Sequence, residues 1–437
     1  MKLPQDFVLP VGIFLFVFSV HFLSPVSQWG DSRWIIPTAM SILKERNADL
    51  NEYKSLIEPD DATVETVDNH LYTVFPIGTA VLIVPLLFVA ETISSRALGF
   101  SIAEDLLYGT RMPGLEIFFS SIVVAIVAVF TYLVGRKSRL TGLASLFLAF
   151  IFAFCTSAWS TGSRALWQHG PSMLCFAITL YLIILAQERP SLIQYISLPL
   201  AFSYVIRPTN SIVFVILSVF VLVRYRSVFW HYVAWSLVVA VPFVLYNLAV
   251  YHALVSPYYM PGRIGVHPNF FLALAGNVMS PARGLFVFTP VFLFSIAGVL
   301  LNYRENGLRA LDIALCAIMV LHWIVISSFP HWWGGYSYGP RMFSDMTPFF
   351  TFFLVPVITK FRFSGQGIKR TVLVCLFILS TGLSLGIHMR GATSNGTMLW
   401  NRYPLSVDEH PERLWSWRDL QFLRAGDVFF EERPQEK

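Results

Sequence analysis

Charge is what this sequence has least of. Only 13% of its 437 residues are Asp, Glu, Lys or Arg while 55% are hydrophobic, whereas an ordinary soluble domain carries about 25% charged residues. That composition excludes a soluble globular protein. Its long apolar runs approach the roughly 20 residues needed to cross a hydrocarbon core, where unpaired backbone groups find no water, so they must be helices rather than an open sheet. Cysteine is also scarce. Cys155, Cys175, Cys316 and Cys375 all fall inside apolar runs, where the expectation is small core residues that offer no disulfide framework and no metal cluster. The net charge of +5 is divided among short loops, which gives a nucleic acid no basic patch to bind. No small-residue cleavage site follows the first apolar run, Phe7 to about Leu23, which therefore reads as a retained helix and not a signal peptide.

What is present is an all-α, polytopic membrane protein. Apolar spans fall near residues 7–26, 114–135, 140–158, 171–186, 191–206, 211–223, 229–250, 285–302, 308–327, 345–359 and 371–388, eleven in all. A further apolar stretch, Phe75 to Ala90, decides the orientation of everything after it. Basic loops recur at Arg136, Lys137 and Arg139, at Arg224 and Arg226, at Arg304 and Arg309, and at Lys360, Arg362, Lys369 and Arg370. The positive-inside rule puts all of them on the cytoplasmic side only if the 75–90 stretch does not cross. The expectation is therefore a helix embedded in the outer leaflet or lying against the bundle, and Pro76, Gly78 and Pro85 fit an interrupted segment. The N-terminus is then cytoplasmic, residues 1–388 form the transmembrane module, 27–113 is its first extracytoplasmic loop with juxtamembrane helices, and 389–437 is a short extracytoplasmic tail. Cytoplasmic loops of a few residues cannot bind a nucleotide, so any site belongs to the outer face.

The outer segments carry the unusual residues. Asp31 follows the first span in GDSRW, and two readings stand side by side: a cap for the following helix, or a carboxylate for chemistry at the lipid boundary. STGSRALWQHGP brings Arg164, Trp167, Gln168 and His169 together. Arg207, in VIRPTNS, has no acid nearby in sequence; it either snorkels to the interface or needs an anion, and a guanidinium suits phosphate. PYYMPGRIGVHPNFFLALAGNVMSPARG holds Tyr258, Tyr259, Arg263, His267, Asn277, Ser280 and Arg283, and PHWWGGYSYGPRMFSD holds His331, Trp332, Trp333, Tyr336, Tyr338, Arg341 and Asp345. Paired aromatics suit sugar stacking, and also an interfacial belt.

The ordered set GDSRW, HLYTVFPIGTAVLIVP, SRALWQHGP, IRPTN, SPARGLFVFTPV and WWGGYSYGPR resembles the bacterial GT-C glycosyltransferases, the fold of the family 39-related protein mannosyltransferases and the aminoarabinose transferases. The resemblance covers most of the chain, and the tail HPERLWSWRDLQFLR is similar to members of a bacterial branch of that group. It implies a GT-C bundle in the bacterial inner membrane, a polyprenyl-phosphate sugar as donor, and an extracytoplasmic glycan, lipid or protein as acceptor. It implies that Asp31 is catalytic. The family often shows another acid in the loop after the third crossing; SRALWQHGP has none, and His169 is the substitute by location. Arg207 and Arg341, then Arg164 and Arg283, are the candidates for the donor phosphate, with Trp167, His331, Trp332, Trp333, Tyr336 and Tyr338 for sugar or acceptor. Some of those enzymes use a divalent metal; no His/Asp spacing here demands one. The competing classes are a transporter or lipid flippase, which would place charge inside several spans and repeat broken helices in two halves, and a noncatalytic envelope scaffold. The spans here are nearly free of charge and no internal repeat is visible.

Overall fold

The computed structural model of the chain describes residues 5–28, 30–109, 112–260, 267–307, 309–363 and 367–425. It is a polytopic all-α membrane protein. Among the described residues seven helices are long and apolar enough to cross a membrane: Gly78–Leu98, Met112–Lys137, His169–Ala186, Arg226–Tyr251, Ala310–Ser328, Arg341–Phe361 and Ile368–Thr393. Large apolar side chains stand exposed on their outer faces, among them Phe88, Val238, Leu245 and Leu379, as does Phe16 on the first helix. An outer surface of this kind matches a hydrocarbon environment and not water.

Each of the eleven expected spans contains helix, but several are shorter or broken. The 285–302 run divides into Leu285–Phe288, Pro290–Phe292 and Leu293–Asn306, because Pro290 has no N–H to continue the first piece. The 345–359 run pauses at Phe353 between Thr347–Phe352 and Leu354–Phe363. Close backbone approach explains one small residue here: a Cβ on Gly298 would lie 1.7 Å from the Phe353 carbonyl oxygen.

The 75–90 stretch corrects the expectation of an interrupted segment. Gly78–Ile93 is one unbroken α-helix that continues through Ser94–Leu98. Pro85 sits inside it and removes a single backbone bond without ending the helix. Its start packs on the chain at Val205 and Ile206, where a Cβ on Gly78 would come within 2.5 Å of the Ile206 nitrogen. At its other end Glu91 pairs with Lys44 at 3.1 Å and accepts from Ser101 Oγ at 3.0 Å and the Ile102 N–H at 2.9 Å. The amphipathic helix Ile35–Lys44 runs beside it. The loop between these two helices holds the only strands among the described residues, Val64–Val67 paired antiparallel with His70–Thr73. Asp68 and Asn69 at its tip both have positive φ, 50° and 66°, as a tight two-residue hairpin turn requires.

The tail 394–425 is part of the fold. Trp400, fully buried, donates from Nε1 to the Asp419 carbonyl at 3.0 Å, and Ser280 Oγ donates to the Leu414 carbonyl at 2.6 Å. With Trp332, Trp333, Val407 and Leu414, Trp400 forms a small separate core.

Candidate active site

Where the first helix ends, a turn through Gly30 to Trp34 leads into Ile35–Lys44. Asp31 does not cap that helix, whose N-cap is Trp34 with no side-chain cap bond. Its neighbours fasten the turn instead: Arg33 donates to the Leu56 carbonyl at 2.8 Å, and Ser32 points inward, donating to Glu116 Oε2 at 2.5 Å. The carboxylate of Asp31 is left half exposed and accepts from Arg341 Nη2 at 2.7 Å.

Arg341 is held on every side. Its guanidinium lies 3.6 Å from the centre of the Trp167 ring, close enough for a cation–π contact. Nε faces His169 Nε2 at 3.3 Å, and Nη1 donates to the Gly334 carbonyl at 3.2 Å. The loop that presents it needs glycine: Gly334, Gly335 and Gly339 all adopt positive φ, a region open to glycine and strained for other residues. At Gly339 a Cβ would also meet the Phe288 ring at 2.6 Å.

Behind Arg341 lies a buried charge network. His169 Nδ1 is 2.7 Å from Asp345 Oδ1, and Arg207 Nη1 donates to the other oxygen of Asp345. Arg207 reaches it because Pro208 forces the preceding residue out of helix; Arg207 is extended, φ −151° and ψ 112°, between Ser197–Ile206 and Pro208–Asn210. Tyr259 donates to Gln168 Oε1 at 3.1 Å. Burial pushes the Tyr259 hydroxyl up to about 12, so it keeps the proton it donates.

These groups open onto one cavity of about 1000 Å³. Of the residues singled out in sequence, Asp31, Trp167, Gln168, His169, Arg207, Tyr258, Tyr259, His331, Tyr336 and Arg341 line it. Arg164, Arg283, Trp332, Trp333 and Tyr338 do not. Arg164 is fully buried, and its guanidinium is taken up by the carbonyls of His21, Ser24 and Val26, which ties the end of the first helix to the 160s segment. Arg283 donates to the carbonyls of Trp333 and Gly335, to Gln421 Oε1 at 2.8 Å and to Asn401 Oδ1 at 2.7 Å, fastening the tail under the glycine-rich loop. Trp332 fills the space over Gly276, where a Cβ would lie 2.2 Å from its ring. Trp333 donates to Asp408 at 2.6 Å and Tyr338 to the Ile387 carbonyl at 2.6 Å. Arg263 lies outside the described residues.

Three parts of the site had no role in the sequence reading. Asp345 is the buried partner that Arg207 lacked locally. Glu116, also buried, accepts from both Ser32 and the Leu166 N–H, the latter at 3.0 Å, and so joins the turn carrying Asp31 to the segment carrying Trp167. The tail supplies a wall of the cavity through Asn395, Met398, Leu399, Arg402 and Asp408. An acid within an otherwise apolar span is the signal that would have found the first two. Among the described residues no group of three His, Cys, Asp or Glu side chains is placed to hold a metal ion.

One solved structure is similar. It is ArnT from Cupriavidus metallidurans bound to undecaprenyl phosphate, at 13% identity and a TM-score of 0.49, covering 90% of this chain and 68% of that one. No protein-family model and no curated protein matches the sequence.

Proposed function

We propose that this protein is an inverting glycosyltransferase that moves a sugar from a polyprenyl-phosphate donor to an acceptor hydroxyl at the extracytoplasmic face of a bacterial inner membrane. The observation that carries the reading is the Asp31–Arg341 pair, an acid and a cation 2.7 Å apart at one cavity, with the cation stacked on Trp167 and a second arginine, Arg207, in the same lining. At about 1000 Å³ the cavity stands at the upper end of small-molecule sites, room for a sugar and part of its acceptor. Charge at its wall is what a phosphate leaving group requires.

In this reading the donor phosphate displaces Asp31 from Arg341. That exchange frees the carboxylate at the moment the donor is bound. The acceptor oxygen attacks the anomeric carbon while Asp31 takes its proton. The bond from that carbon to the phosphate oxygen breaks, its electron pair leaving with the polyprenyl phosphate, whose charge Arg341 meets with Arg207 behind it. A single displacement inverts the anomeric configuration. General-base help is worth about 10²–10⁴ in rate, and fixed charge at the leaving group a comparable share. Tyr336, His331 and Trp167 contact sugar or acceptor, and the tail side of the cavity belongs to the acceptor.

The test is release of polyprenyl phosphate from a panel of polyprenyl-phosphate sugars by the purified protein, together with mass spectrometry of envelope glycans and lipids with and without the gene. Turnover of one donor and loss of one glycan modification are expected. No turnover of any donor with an unchanged envelope would refute the assignment.

A further inference from the structure

His169 stands next to Arg341, and its surroundings dictate how. The ring is buried at the first turn of His169–Ala186, with one nitrogen on a carboxylate and the other on a guanidinium, at 2.7 Å and 3.3 Å. An ionised carboxylate has only lone pairs to offer, so the hydrogen between His169 and Asp345 sits on Nδ1. An arginine side chain has no acceptor, so the His169 Nε2 that meets Arg341 Nε–H must present a lone pair. Both ends of the imidazole are thereby fixed: it is neutral, a donor to Asp345 and an acceptor from Arg341. A second proton on Nε2 would set two N–H groups head to head.

Asp345 cannot easily turn away, because Arg207 occupies its other oxygen and itself comes within 3.2 Å of His169 Nδ1. The order of support is therefore Arg207 to Asp345 to His169 to Arg341. Trp167 closes the remaining face of the Arg341 guanidinium.

We infer that His169 is a positioning residue for Arg341, set by Asp345 and Arg207, and is not a second acid or base of the reaction. It holds Nε, so that the two terminal nitrogens of Arg341, now on Gly334 and Asp31, are aimed at a phosphate. This rests on the reading of Arg341 as the cation that meets the donor phosphate. A lysine in its place would have a point charge and no Nε for His169 to hold.

The experiment is a cycle of variants in lipid nanodiscs, read by binding of a fluorescent polyprenyl monophosphate. His169→Ala is expected to weaken binding about tenfold, within the range for side chains in one hydrogen-bonded network. His169→Gln, whose amide oxygen accepts from Arg341 but cannot take a proton, should recover to within about threefold of wild type, and recover transfer with it. In an Arg341→Lys background His169→Ala should cost nothing further. The inference is overturned if Gln is as poor as Ala, or if His169→Ala costs the same factor in both backgrounds, as a plain packing loss would. Wild-type protein that binds no polyprenyl monophosphate would sink the transferase reading instead. The same cycle run on thermal unfolding in detergent then decides the inference by itself: coupling between positions 169 and 341 supports it, and strict additivity overturns it.

Discussion

Replacing Asp31 with asparagine separates chemistry from structure more cleanly than any other change in this protein. The Asp31 side chain is 50% exposed and its partner Arg341 15%; ion pairs this close to solvent contribute about 0.2–1 kcal/mol. Asparagine retains an oxygen that accepts from Arg341 Nη2, and Arg341 keeps its bonds to His169 and Gly334. The fold should therefore lose at most about 1 kcal/mol, a shift in melting temperature of about 1 °C for a chain of this size. Removing a general base costs about 10²–10⁴ in rate, equivalent to roughly 2.7–5.5 kcal/mol of transition-state stabilisation. The loss should fall on kcat. Donor binding should hold or tighten, because the carboxylate no longer competes with phosphate for Arg341, and such a split marks an interaction made in the transition state. The assay is donor-dependent transfer by purified protein, with thermal unfolding in the same detergent as the control. Transfer within about threefold of wild type, or a stability loss above about 3 kcal/mol, would refute the reasoning.

Arg207→Met should be far more damaging to the fold, about 3–5 kcal/mol, because it leaves the buried Asp345 carboxylate without its cationic partner; unfolding of Arg207→Met/Asp345→Leu should show less loss than the two single changes added. Topology is checked with single cysteines at Tyr108 and Lys137, both exposed, in a background free of the four native cysteines. A membrane-impermeant thiol reagent should label position 108 and not 137, and the reverse would invert the orientation proposed for the cavity.

The bundle was legible because lipid imposes a strict rule on the backbone, and each apolar run obeyed it with a helix. Helix continuity was not, since Pro85 and Pro290 look alike in sequence yet one lies inside a helix and the other divides one. Residues that the sequence places in short polar segments, Asp31, Trp167, His169, Arg207 and Arg341, do meet at one cavity. Composition could not separate these from Arg164 and Arg283, because an arginine that satisfies backbone carbonyls and one that lines a cavity both sit in short polar segments beside aromatics. The pairings of the acids behind the site, Asp345 included although it was named, stayed hidden for another reason. Asp345 meets Arg207 across 138 residues of sequence, and Glu116 meets Ser32 across 84, and each stands in a run whose average hydropathy masks a single carboxyl group. Nor does a polar tail after the last span announce that it packs back on the membrane module through Gln421, whose fully buried amide bonds Arg283, the Gly339 N–H and the carbonyls of Ser337 and Thr397.

That tail gives the protein a particular order of assembly. Asp31 leaves the ribosome well before Asp408, yet both line the same cavity. No nascent chain can hold a finished site, however many of its helices have already entered the membrane, and a stop codon just after Thr393 would spare every long apolar helix while removing a wall. An intact cavity thus becomes a report that synthesis has passed Asp408.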